Sequence, residues 1–200
     1  PDPHLHAHCF VFNETWDETE QTWKAGQFGN LKRDAPYFEG RFHLRLAERL
    51  SDLGLPIERT RTGWEIATLT PALLEKFSRR TQAIEAEAER KGIVDPAAKA
   101  ELGAKTRSRK QTDLTMPELR EEWRTRLTED EQDALHQTAA LMRDTVRTPD
   151  REGVAAAVSR AAEHLFERKS VVPERTVLAA AYKQAVGCGN IDTVEETYHA

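Results

Sequence analysis

The chain is poor in cysteine, and that excludes more than any residue it contains. Only Cys9 and Cys188 occur in 200 residues, far apart and outside any Cys-x-x-Cys spacing. Neither a disulfide framework nor a zinc ribbon can be built from them. A thiol such as Cys9, set in an apolar run, reads as a buried residue of a reducing cytoplasm. No apolar run approaches the ~20 residues of a membrane span, and the first residues have no signal-peptide character. No Gly-x-x-x-x-Gly-Lys-Ser/Thr occurs, so ATP binding is not supported. An excess of positive charge is also missing: the formal net charge is -5. Any nucleic-acid contact must therefore come from local basic patches. What remains is a polar chain, with 38% hydrophobic and 32% charged residues. That is enough apolar material for a core, and enough charge for long solvated helices.

Histidine is concentrated at the start. Residues 1–13 read PDPHLHAHCFVFN, with His4, His6 and His8 at alternate positions. The apolar, strand-favouring run 9–12 predicts a strand, on which residues two apart share a face. Neutral imidazole is the commonest protein metal ligand, so a same-face pair can hold one divalent cation. A bare His-x-His can equally pack, cap or face solvent.

Periodicity and stop signals divide the remainder. A hairpin is expected after residues 14–21, with Trp23 on the returning strand as a core aromatic. A helix follows, beginning near Pro36 and ended by Gly54, with Phe38, Phe42, Leu46 and Leu50 as its apolar stripe. Ile57, Trp64 and Ile66 around Thr62-Gly63 predict a second hairpin. Thr70-Pro71 opens a helix over 72–91 that Gly92 stops. Further helices are expected at 97–104, from Thr115 with a capping box to Glu118, at 129–143, 154–166, 173–185 and 191–198. Residues 105–111, KTRSRKQ, are the most basic stretch, and 147–150 read as a linker.

These segments resemble one family. Asp2-Pro3-His4-Leu5-His6-Ala7-His8 followed by Phe-Val-Phe-Asn resembles the third motif of conjugative relaxases of the TrwC/TraI (MobF) type, Asp-Pro-x-Leu-His-x-His before a hydrophobic strand. Phe77-Ser78-Arg79-Arg80, with Ile84 after it, is similar to a Phe-Ser-x-Arg-x-x-x-Ile signature of the same family. Thr106-Arg107 and Lys110 resemble its Thr-Arg-x-x-Lys element. The resemblance implies an α+β fold: a partial antiparallel sheet of HUH relaxase type carrying the His motif, then a mostly helical C-terminal half. It implies that residues 1–146 are the C-terminal part of a relaxase domain. Residues 147–200 would be a helical linker and the start of a helicase region.

It further implies that the intact protein nicks and rejoins single-stranded plasmid DNA at an origin of transfer. A tyrosine would attack the phosphate, and a His-bound divalent ion (Mg, Mn or Zn) would assist. His6 and His8 are the implied metal ligands, with His4 at the variable position. Lys24, Lys32, Arg33, Arg80, Arg107 and Lys110 are the implied DNA contacts. Origin-of-transfer DNA, conjugation accessory proteins and a coupling protein are the implied partners, in the cytoplasm and without membrane insertion. Tyr37, Tyr182 and Tyr198 do not match the family's nucleophile positions, so the catalytic tyrosine and the third histidine are expected upstream of Pro1. The chain alone is then expected to bind metal and DNA without nicking. The alternative is a non-catalytic nucleic-acid-binding or protein-interaction helical module with incidental histidines. A hydrolase holding all its ligands within the chain would have to recruit Asp2 or His43.

Overall fold

In a computed structural model, residues 2–3, 6, 8–106, 114–143, 145 and 147–200 are described. The class is α+β. Among these residues ten helices accompany two separate antiparallel hairpins. The chain divides into two compact units, residues 1–7 with 68–139 and residues 8–67 with 140–200.

The second unit begins with β1 (Thr15–Asp17) paired to β2 (Thr22–Lys24), Trp16 facing Trp23. Asp17 makes the turn by accepting from the backbone N–H of Thr19 and Glu20 at 2.9 and 3.0 Å. The hairpin lies where the sequence places it, but Trp23 is not a core residue. It is exposed, and its ring meets Trp16 edge-on at 5.5 Å. The strand expected over residues 9–12 is also absent: Phe10, Val11 and Phe12 are 93%, 69% and 81% exposed and belong to no strand. Neither hairpin pairs with this run, and an extended segment without a hydrogen-bonded neighbour is not held as a strand. Cys9, expected to be buried there, is exposed with it.

Helices α1 (Phe28–Arg33) and α2 (Ala35–Asp52) follow. Gly54 ends α2 at φ +85°, with the N–H of Leu55 donating to Leu50 O and that of Gly54 to Ser51 O. After the hairpin of β3 (Ile57–Arg59) and β4 (Trp64–Ile66), this unit resumes with α8 (Arg151–Phe166), α9 (Glu174–Gln184) and α10 (Ile191–His199). Their shared core contains Leu44, Ala47, Val154, Ala157, Ala161, Leu178, Tyr182 and Val194.

The buried face of α2 is Gly40, Leu44, Ala47 and Ser51, not the expected Phe38–Phe42–Leu46 stripe, which is exposed. The reason is the closeness of α9. A Cβ at Gly40 would stand 3.2 Å from Ala179 O. Small residues on α2 facing α9 allow that approach, and phenylalanines would prevent it.

In the first unit, Thr70 caps α3 (Pro71–Lys76) through Leu73 N at 3.2 Å. The single helix expected over 72–91 is two, because α4 (Arg79–Arg90) restarts after a break at Phe77–Ser78. Then come α5 (Pro96–Lys105), α6 (Met116–Thr125) and α7 (Glu129–Ala140). Gly92 stops α4 in the left-handed region at φ +65°, and Thr115 and Glu118 cap each other as expected. Helices α4 and α5 touch where Gly103 faces Ile84. Leu73, Ala88 and Leu102 are the buried apolar residues of this unit among the described residues. Ion pairs such as Lys76–Glu131 at 2.6 Å supplement so small a core.

Candidate functional site

The chain ahead of the histidines is gripped rather than loose. Asp2 Oδ1 accepts from Arg79 Nε at 2.9 Å and from Arg126 Nη1 at 2.7 Å, while Oδ2 accepts from the backbone N–H of Arg79 at 3.0 Å. Arg79 is the first residue of α4, so the carboxylate caps that helix from 77 positions away. Ser78 holds the N-cap position, but its hydroxyl donates to Leu74 O at 2.8 Å, leaving the cap to Asp2. Burial raises the Asp2 pKa, and the bonds from Arg126 and Arg79 outweigh it, holding the carboxyl below its usual range. Pro3 lines an apolar groove of about 520 Å³ together with Leu73, Phe77, Trp123 and Leu127.

His6 belongs to the first unit and His8 opens the second, and both side chains are exposed. His4 lies outside the described residues. Among the described residues, no three or more His, Cys, Asp or Glu side chains gather as a cation would require. An imidazole suits a divalent ion in kind and leaves further positions for water or phosphate oxygen. Asp2 is not a further ligand, because both its oxygens are taken by arginine donors.

Of the four basic candidates among the described residues, three have partners. Lys24 Nζ pairs with Asp17 and Glu20, both at 2.6 Å, and these hold its ammonium above its usual pKa. Arg33 Nε bonds Asp34 at 2.8 Å, and Arg175 bonds the same carboxylate. Arg80 Nη2 donates to Gly103 O at 2.7 Å, joining α4 to α5. Lys32 is exposed on the last turn of α1. Arg107 and Lys110 lie outside the described residues. Arg33 and Arg175 border a cleft of about 600 Å³ with Asn30 and Pro173. Sequence reasoning passed over Arg79, Arg126 and Arg175. Only Arg79, inside the Phe-Ser-Arg-Arg motif, carried a signal.

The tyrosines are structural in setting. Tyr182 is fully buried and donates to Glu195 Oε1 at 2.5 Å. Burial, and then that bond, push its pKa well up and keep the phenol neutral. Tyr37 Oη accepts from Arg41 Nη1 at 2.7 Å, and its ring packs 5.7 Å from that of Tyr182. Tyr198 packs, half-buried, against the same core.

The family model of the TrwC relaxase matches residues 1–130. The chain belongs to the TrwC relaxase family. No curated protein and no solved structure matches it. The matched residues include the His motif, Phe77–Arg80 and the basic stretch, and membership supports a relaxase-related role. No helix among the described residues is long and apolar enough to cross a membrane. The relaxase match supplies α2 to the second unit, and α8, α9 and α10 lie beyond it.

Proposed function

We propose that this chain is part of a conjugative relaxase that nicks and rejoins single-stranded origin-of-transfer DNA through a tyrosine phosphodiester. Residues 1–146 would be the C-terminal part of the relaxase domain, and residues 147–200 the helical linker toward a helicase region. The observation that carries this reading is the relaxase match over residues 1–130, with the Asp-Pro-x-Leu-His-x-His pattern inside it.

In this reading His6 and His8 each offer a neutral imidazole nitrogen to one divalent ion, Mg, Mn or Zn. Neutral ligands add no negative charge beside an anionic strand. When bound, such an ion neutralises charge on the scissile phosphate. Lys32, Arg107 and Lys110 attract the DNA backbone, and Lys24, Arg33 and Arg80 join them only by exchanging their internal partners for phosphate. The attacking hydroxyl belongs to polypeptide outside these 200 residues, in keeping with the buried, hydrogen-bonded setting of Tyr182. The chain alone therefore binds metal and DNA without nicking. Conjugation accessory proteins and a coupling protein are the partners in the cytoplasm.

Calorimetric titration of Mn²⁺ into the chain and into His6→Ala/His8→Ala tests the ligand assignment. Weak binding that disappears in the double variant is expected. Equal binding by both proteins would favour a non-catalytic helical module. Cleavage of an origin oligonucleotide by the 200-residue chain would refute the outside nucleophile.

A further inference from the structure

We infer that Asp2 is a positioning residue for metal capture: clamped by Arg79 and Arg126, its carboxylate anchors the backbone four residues ahead of His6. The inference rests on the reading of His6 and His8 as ligands, and it assigns a task to a residue that does not touch the ion.

One arm of the clamp is shielded from water, and the other, through Arg79, is half exposed. The side chains of Asp2 and Arg126 are only 16% and 14% exposed, whereas pairs such as Arg124–Glu121 are open to water on both sides. Shielded, multiply bonded pairs hold geometry, and exposed ones contribute little. Arg126 is itself held, by Glu122 one turn earlier and by the Phe77 ring 5.5 Å from its guanidinium carbon. Glu122 also faces Arg79, at 3.8 Å. Two arginines from separate segments thus converge on one carboxylate, and Glu122 faces both of them. Pro3, with φ fixed by its ring, itself lines the apolar groove.

From this anchor His6 is four residues away. Even fully extended, that stretch spans only ~14 Å. The clamp orders the backbone at Asp2 before any ion binds, so less of the approach to His6 has to be ordered at that moment. The clamp also joins two motifs that are far apart in sequence, the Asp-Pro of the histidine motif and Phe77–Arg80. The first arginine of the latter is thereby explained as a support for the former, with its guanidinium turned to Asp2.

The test is Mn²⁺ affinity of the full 200-residue chain, measured by calorimetry well below the melting temperature, with far-UV circular dichroism as the check on folding. Asp2→Ala is expected to weaken Mn²⁺ binding about fivefold, at or below the lower end of what loss of a supporting partner costs a metal site. Asp2→Glu keeps the charge and should recover most of the loss. Arg79→Ala combined with Asp2→Ala should be no worse than Asp2→Ala alone. Equal affinity in wild type and Asp2→Ala, with binding lost in His6→Ala/His8→Ala, overturns the inference and leaves the ligands standing. A loss that Asp2→Glu does not recover overturns it as well. Wild-type affinity in His6→Ala/His8→Ala overturns the ligand assignment itself, and the inference with it.

Discussion

Replacing Tyr182 by Phe removes one oxygen from the second unit and leaves its packing intact. The ring is fully buried, and its hydroxyl donates to Glu195 Oε1 at 2.5 Å. Arg41 Nη1 donates to the same oxygen at 2.5 Å and to Tyr37 Oη at 2.7 Å. A hydrogen bond to a charged acceptor is worth about 1.5–3 kcal/mol. Glu195 keeps Arg41 in the variant, and its side chain, 31% exposed, can take water in place of the phenol. The loss should therefore fall at or below the lower end of that range, about 1–2 kcal/mol. For a unit of this size that lowers Tm by about 4–8 °C. Thermal melts followed by circular dichroism at pH 7 read the effect. A cycle through Tyr182→Phe, Glu195→Gln and the double variant isolates the pair, with about 1 kcal/mol of coupling expected. A Tyr182→Phe protein that melts within about 1 °C of wild type, or a strictly additive cycle, would refute the assignment of this hydrogen bond to the stability of the bundle.

Two further outcomes follow from charge and exposure. The Arg33 guanidinium, with Arg175, holds the Asp34 carboxyl at about 2. A depressed carboxylate stabilises the fold above its unfolded pKa, about 3.9, and loses that contribution as pH falls toward 2. The Tm difference between wild type and Asp34→Asn should thus be constant above about pH 5 and close between about pH 4 and 2; a gap independent of pH would contradict the pairing. Cys9 is exposed, whereas burial, then the Asp150 charge, raise the pKa of the Cys188 thiol. Ellman's reagent should therefore label Cys188→Ser rapidly and Cys9→Ser slowly, and similar rates would show Cys9 to be sheltered.

The features legible in the sequence were those decided within a few residues. Thr70, Asp95 and Thr115 cap the helices that follow them, and Gly54 and Gly92 end the helices before them. Thr62-Gly63 turns its hairpin, with Gly63 O accepting from Thr60 N at 2.9 Å. Failures came where a distant partner decides. The apolar run 9–12 has strand propensity but no neighbouring strand among the described residues. The break at Phe77–Ser78 sits where Asp2 supplies the cap, which no local pattern announces. At the candidate site the histidine pair stands out in the sequence by spacing alone. Lys24, Arg33 and Arg80 looked available for phosphate because their internal partners were invisible there.

By itself the sequence determined the family, through motifs spread over residues 1–130, and the succession of helices and turns, since capping and stop signals act through bonds spanning at most about five residues. Only tertiary structure decided which face of α2 is buried and what Asp2 does. The first depends on how closely α9 can approach Gly40, and the second on two arginines that come within 3 Å of one carboxylate only after the first unit has folded.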